Sequence, residues 1–438
     1  MYASFVDGTC ISGLFSAFSQ AVMDSPIIAG ATLLCVAIPT ALWCKRRKPG
    51  ALKHWSHEHG PLGHRTPDFR FPAPLNQICA LAKIAAQQFA AEPDKTIFSR
   101  WLTDASASMN GGTLIAATTD FNNRRRLELM VPLIVLRLLW RQRQAELGTN
   151  NPLPAALSEL LMHLCKATGH PPRLTQFMHS RLNWRSDLLL PGSTLDHTKL
   201  MKFDRIHPAF PLTPHATEAH FLRGFFCAEV ILGHAVQYMM SAIQAVQKHD
   251  TSRLIRALNH ITTHLALFRT TVTTHMHKVK PTEFLPLQTI VASKGDMSTA
   301  GASGFQVVPI ILLDLLLLPK QEEWPLQAHL DNRKCLPEPE QAFLATLSGQ
   351  PSLADYVHSQ QNSALTAAYQ ACIQPLIAFR TAHKGLAAQT LKNAGSTSST
   401  ETLIAGNTNQ LVTSFKALMN LIIAQTKDAQ KSAAAYAA

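Results

Sequence analysis

Between Thr251 and His277 the apolar residues Leu254, Leu258, Ile261, Leu265, Phe268, Val272 and Met276 follow one another at steps of three or four throughout. That spacing lines one side of an α-helix with apolar groups, whereas a strand would alternate them residue by residue. Asp250 and Thr251 are the N-cap candidates, each with a short oxygen-bearing side chain. Similar patterns predict helices over 77–91, 153–168, 218–246, 363–374, 376–392 and 408–425, and no run of residues alternates as a strand would. The expected fold class is all-α.

Two other apolar runs are too short to cross a bilayer and read as buried core helices. Leu127–Trp140 contains Pro132 and Arg137, and Val307–Leu318 contains Pro309 and Asp314; a membrane span needs about 20 apolar residues. One run does qualify. From Pro26 to Cys44 there is no charged residue, and Lys45-Arg-Arg-Lys48 follows at once. Positive charge behind the apolar core argues against a cleaved signal peptide, which carries it in front. The expectation is a single-pass membrane anchor, a helix at about 26–44 within residues 1–50, with the rest of the chain facing the cytoplasm. The basic flank would also suit anionic headgroups. Residues 51–76, rich in Pro, His and Gly, read as a linker.

Charge and cysteine usage narrow the partners. The net charge is +12, but apart from Lys45–Lys48 and Arg124–Arg126 the cations are dispersed, so nucleic acid is not an expected partner. The 8 cysteines are scattered with no Cys-x-x-Cys spacing, which excludes a zinc ribbon and fits reduced thiols. His260 and His264 lie four apart with no carboxylate to complete a metal site, and His275 and His277 form a lone His-x-His; both read as solvated faces. No Walker loop, Gly-x-Gly-x-x-Gly or Gly-x-Ser-x-Gly is present.

The informative motifs lie further along. Pro171-Pro172 with Leu174 and Asn183-Trp184 come first, then Gly224-Phe225-Phe226 and Lys280-Pro281 leading to Phe284. Ser298-Thr-Ala-Gly-Ala-Ser-Gly-Phe-Gln306 follows, then Leu336-Pro-Glu-Pro-Glu, Ala367-Ala-Tyr-Gln-Ala-Cys-Ile and Leu376-Ile-Ala-Phe-Arg-Thr-Ala-His383. In this order and spacing the chain resembles the indoleamine 2,3-dioxygenase family. The resemblance implies a small helical domain, 77–210, on a larger helical domain, 211–438, that encloses haem b, with a flexible loop at about 393–409. It implies a haem-dependent dioxygenase, monomeric in its haem domain, that opens the indole C2–C3 bond of tryptophan or a related indole to an N-formylkynurenine-type product.

Residue by residue, the resemblance makes His383 the protein ligand of the haem iron, leaving the opposite position for dioxygen. Arg380, one turn earlier, would reach a propionate, and Phe305, Thr299 and Ala300 would lie close to the haem. Phe225, Phe284, Gln176 and Thr408 would contact the indole, with the phenylalanine rings stacking on it.

Three positions depart from the family pattern. Thr289 stands where a substrate-carboxylate arginine is expected, and a threonine cannot replace a bidentate guanidinium. Either Arg173, Arg181 or Arg223 takes over, or the substrate lacks a free carboxylate. Glu229 replaces a serine; it is a distal proton donor, a partner for a substrate amine, or a surface residue if the helix register shifts. His179 replaces a small residue; it bonds to bound dioxygen, coordinates the iron, or is a partly exposed helix histidine. The second functional reading is a non-catalytic haem protein that binds or senses oxygen or an indole.

Overall fold

The computed structural model describes residues 61–90, 94–292, 306–318, 336–348, 350 and 352–395, all within the compact unit that begins at His54. The 26–44 run expected as an anchor, its basic flank, Thr299, Ala300, Phe305, Thr408 and the predicted 408–425 helix lie outside the described residues.

Helices dominate, as the periodicity required. The first set is α1 (Ala73–Ala90), α2 (Thr96–Ser106), α3 (Gly111–Ala116), α4 (Asn123–Glu146) and α5 (Ala155–Thr168). In α4 every residue from Leu127 to Leu136 is buried, so this short apolar run is the core helix its length called for. Glu128 sits inside that run and survives burial by pairing with Arg124 at 3.0 Å and Arg125 at 2.7 Å.

The chain then makes a widened, i→i+5 turn over Met178–Leu182. Two three-residue strands follow, β1 (Trp184–Ser186) and β2 (Ile206–Pro208), antiparallel with Trp184 opposite Pro208, and the short α6 (His197–Leu200) lies between them. Strands this short carry no readable alternation. Asn183 and Trp184 serve this corner. The Asn183 amide exchanges two hydrogen bonds with the Phe210 backbone, at 2.9 and 3.0 Å, and the Trp184 indole N–H donates to the Arg181 carbonyl.

The predicted 218–246 helix is three pieces in one rod: α7 (Ala216–Cys227), a second widened turn (Ala228–Leu232) and α8 (Gly233–Gln247). This rod is long and apolar enough to cross a membrane, but 67% of its most apolar window is buried in the protein, as in a core helix. After it come α9 (Thr251–Met276), α10 (Pro281–Ala292), α11 (Val308–Leu317), α12 (Glu338–Ser348), α13 (Leu353–Ser359) and α14 (Ser363–Gly395).

In α9 the predicted stripe is buried from Leu254 to Val272, and Asp250 caps it by accepting the Arg253 N–H. The stripe ends differently from expectation. His275 takes the last buried place, beside Phe203 and His220, because the helix continues its turn and brings position 275 inward. The reading of His275 as solvated is therefore corrected.

The predicted pair 363–374 and 376–392 is one helix, α14, with Pro375 inside it. The proline removes one backbone bond and costs about 3 kcal/mol. Against that, Leu365, Ala368, Tyr369, Cys372, Ile373, Leu376, Ile377 and Phe379 are all buried, a stripe that runs through Pro375 without a change of phase. At about 1.5–3 kcal/mol per large side chain, that burial outweighs the break.

Glu218, in the first turn of α7, is buried and accepts from the backbone N–H groups of Leu212 and Thr213 and from the Thr213 hydroxyl. Burial pushes its carboxyl up to about 7. Between its unfolded value near 4.5 and about 7 the folded chain holds a proton that the unfolded chain has lost, so stability from this group falls as pH rises through that window. The buried histidines held near 4, such as His170 and His275, act oppositely, being destabilising as pH falls from about 6.5 to 4. Glu218→Gln isolates the first effect. The stability difference between variant and wild type should shift in the variant's favour by on the order of 3 kcal/mol from pH about 4.5 to about 7 in calorimetric unfolding. A difference independent of pH would contradict it.

Candidate functional site

His383 lies on α14 one turn after Phe379, and the two rings are nearly parallel, 12° apart with centroids at 5.8 Å. Phe379 packs in turn on Phe268 of α9 at 4.8 Å. The imidazole is half-buried. Burial, with the nearby Arg380 cation adding to it, pushes its pKa down to about 4, so the neutral form, the one that ligates iron, prevails at neutral pH. Arg380 is itself buried and forms an ion pair with Asp314 of α11. The structure thus assigns Arg380 a protein partner that ties α14 to α11. Asp314 had a signal in the sequence, being the single charge within Val307–Leu318; a charge in so apolar a run needs a partner.

Helices α9 and α10 each contact both α7 and α14. On α7 and α10 sit Phe225 and Phe284, joined by a ring the sequence reading missed. Phe221 lies 4.9 Å from Phe225, edge to face, and 4.8 Å from Phe284. It stands one turn before Phe225, so helical spacing could have found it. Phe226 points elsewhere, fully buried against Trp184 at 4.8 Å, and is core.

The 178–182 turn brings His179 to this cluster, 5.9 Å from Phe221 and 6.4 Å from Phe225. His179 is 1% exposed and Gln176 0%. Neither ring nitrogen of His179 makes a hydrogen bond, and neither does the side-chain amide of Gln176. Burial lowers the His179 pKa to about 4. This removes the alternative of a partly exposed histidine: the widened turn rotates the side chain inward. Gln176 is held through its backbone N–H, which donates to Gln306 Oε1 at 2.7 Å.

Glu229 is 0% exposed, which removes the surface alternative. Its Oε1 lies 3.0 Å from Arg181 Nε and accepts from Ser180 Oγ at 3.3 Å. Arg181 also pairs with Glu340 of α12. Burial raises the Glu229 carboxyl against the pull of Arg181. Burial works against the Arg181 charge as well, but the two carboxylates more than offset it. Arg223 is committed too, donating to the Ile206 and Asp204 carbonyls at 2.8 and 2.9 Å. Thr289 is half-buried on α10 and Arg173 half-buried on the loop before the 178–182 turn.

The residues fit haem on chemical grounds. Among the described residues no group of three His, Cys, Asp or Glu could hold a bare metal ion. A neutral imidazole on a helix suits a metal that brings its own equatorial ligands, as a porphyrin does. His260 and His264 do not alter this: His260 is exposed and stacked on Tyr238 at 4.3 Å, and His264 Nδ1 bonds to the His260 carbonyl.

A helical bundle thus carries a half-buried imidazole on α14 and, on α7, α10 and the 178–182 turn, an aromatic cluster with buried polar groups, the residues that carried the resemblance. The family model described as Indoleamine 2,3-dioxygenase matches residues 116–302 and 291–403, and the chain belongs to that family. The Mus musculus protein Indoleamine 2,3-dioxygenase 1 is 22% identical over 281 residues, 59% of this chain and 67% of the mouse protein.

The Arg181 network has a direct test. Arg181→Met leaves two buried carboxylates without their cation and should cost on the order of 3–5 kcal/mol in denaturant unfolding. Replacing all three charged residues by apolar ones should recover most of that loss. A single-variant cost below about 1 kcal/mol would place the pair in a wet environment instead.

Proposed function

We propose that this chain is a haem-dependent dioxygenase that opens the C2–C3 bond of an indole to a formylated, kynurenine-type product. The observation that supports this is that α14 carries a neutral, half-buried His383 and touches α10, whose Phe284 joins Phe221 and Phe225 of α7 in an aromatic cluster. Family membership supports the same reaction class.

Haem b, when bound, supplies the iron at which dioxygen is activated for insertion into the indole. The protein's own contribution is to hold and orient. His383 offers its unprotonated nitrogen, and the Arg380–Asp314 pair fixes the turn that carries it. Phe225 and Phe284 present flat apolar surface to an indole and exclude water from it, with area burial providing most of the binding. Thr299, Ala300 and Phe305 are proposed to close the haem face, and Thr408 to touch the substrate, on the resemblance alone. Glu229 is held by Arg181 and Ser180, so no free carboxylate base is proposed.

Purified protein loaded with haem, reduced and mixed with indoles in air should yield a product heavier by two oxygen atoms, seen by mass spectrometry. His383→Ala should abolish both haem uptake and product. Haem uptake and indole binding without any product would replace the dioxygenase with a haem protein that only binds its ligands.

A further inference from the structure

We infer that the indole pocket is built for an uncharged substrate, an indole whose side chain carries a neutral hydrogen-bonding group such as a carboxamide, rather than for an amino-acid zwitterion. This rests on the reading of the aromatic cluster as the indole site and narrows its substrate class.

The first ground is the set of unsatisfied groups at the entry to the 178–182 turn and on it, the turn that brings His179 to the rings. Gln176 Oε1 and Nε2 and both nitrogens of His179 are buried without hydrogen bonds. Each buried polar group left this way costs about 1–3 kcal/mol, a cost that a core position would shed by carrying an apolar residue. The His179 ring faces Phe225 edge-on, and Gln176 stands three residues earlier, where the chain enters the widened turn. Together they present neutral donors and neutral acceptors. A carboxamide, with one carbonyl and one N–H2, matches such a pair; a carboxylate, which only accepts, does not.

The second ground is charge. The 178–182 turn, α7, the 228–232 turn and α10 carry the rings and His179, and the lysines and arginines in them are Arg181 and Arg223 alone. Arg223 is spent on the Ile206 and Asp204 carbonyls. Arg181 has two nitrogens without a hydrogen bond, Nε and Nη2, but Glu229, 3.0 Å from Nε, and Glu340 already balance its charge. A third anion brought beside it would meet two carboxylates. On α10, Thr289 contributes a hydroxyl and no charge. A buried carboxylate without a net cation carries a desolvation cost of several kcal/mol, so these walls favour the neutral ligand.

The test compares near-isosteric probes on the full-length haem protein by calorimetric titration: indole-3-acetamide, indole-3-acetate, tryptamine, L-tryptophan and unsubstituted indole. The amide should bind at least about tenfold tighter than the acetate, a difference of about 1.4 kcal/mol. Gln176→Leu and His179→Leu should each weaken the amide by about threefold to tenfold, the worth of one buried hydrogen bond. Because each variant replaces an unsatisfied polar group by an apolar one, its unliganded melting temperature should equal or exceed that of wild type; a clear fall would assign both residues a structural role and overturn the proposal. Tighter binding of acetate or L-tryptophan than of the amide, abolished by Arg173→Gln, would also overturn it by locating a carboxylate site. Tighter binding of tryptamine would overturn it in favour of a cationic substrate. Haem content is read on every preparation. Its absence would refute the dioxygenase reading, while the amide-to-acetate ratio, which needs no haem signal, would still decide the pocket's preference.

Discussion

The structure depends on α14 lying along α9. That contact buries an uninterrupted stripe from Leu365 to Phe379, carries the helix through Pro375, and so delivers His383 one turn beyond the last buried phenylalanine. A break at Pro375 would have left His383 on a separate short helix with its direction undefined. The buried Arg380–Asp314 pair adds a directional tie from the same turn to α11. Such a pair contributes little net stability after desolvation, but its geometry admits few alternatives. The same burial that orients His383 keeps it neutral, and one environment thus supplies both position and protonation state.

The cluster of His179, Arg181 and Glu229 follows from two widened turns. One, Met178–Leu182, turns His179 and Arg181 inward; the other, Ala228–Leu232, does the same for Glu229. Arg181 joins them and reaches α12 through Glu340. Turns of this kind are rare and tend to occur where a helix must present extra side chains to a site. Here they present one ion-paired charged cluster and one neutral pair without hydrogen bonds. The first holds the segments together, and the second is left for a ligand.

Much of this was legible in the chain. The stripe of α9, the cap at Asp250, the buried nature of Leu127–Trp140 and Val307–Leu318, and the all-helical class followed from spacing and length, because helix periodicity is a local property. The motif order identified the family and singled out His383, Phe225 and Phe284. What could not be read was pairing at a distance. Arg181 and Glu340 stand 159 residues apart, and nothing local links them. The widened turns change no composition, so His179 and Glu229 kept open alternatives until the backbone settled which way they face. Continuity of α14 through Pro375 was likewise decided by packing against α9, which overrode a local rule. His275 was misjudged because the stripe ends beside it, where one residue of rotation separates core from solvent.

The central claim is that His383 is the one protein ligand of the haem iron. The most direct measurement is the absorption and resonance Raman spectrum of the ferrous full-length protein, compared with His383→Gly before and after imidazole is added. Wild type should show a five-coordinate histidine-ligated haem, the variant should lose the iron–histidine band, and free imidazole in the cavity should restore it. A His383→Gly protein that keeps its haem and an unchanged iron–histidine band would contradict the account.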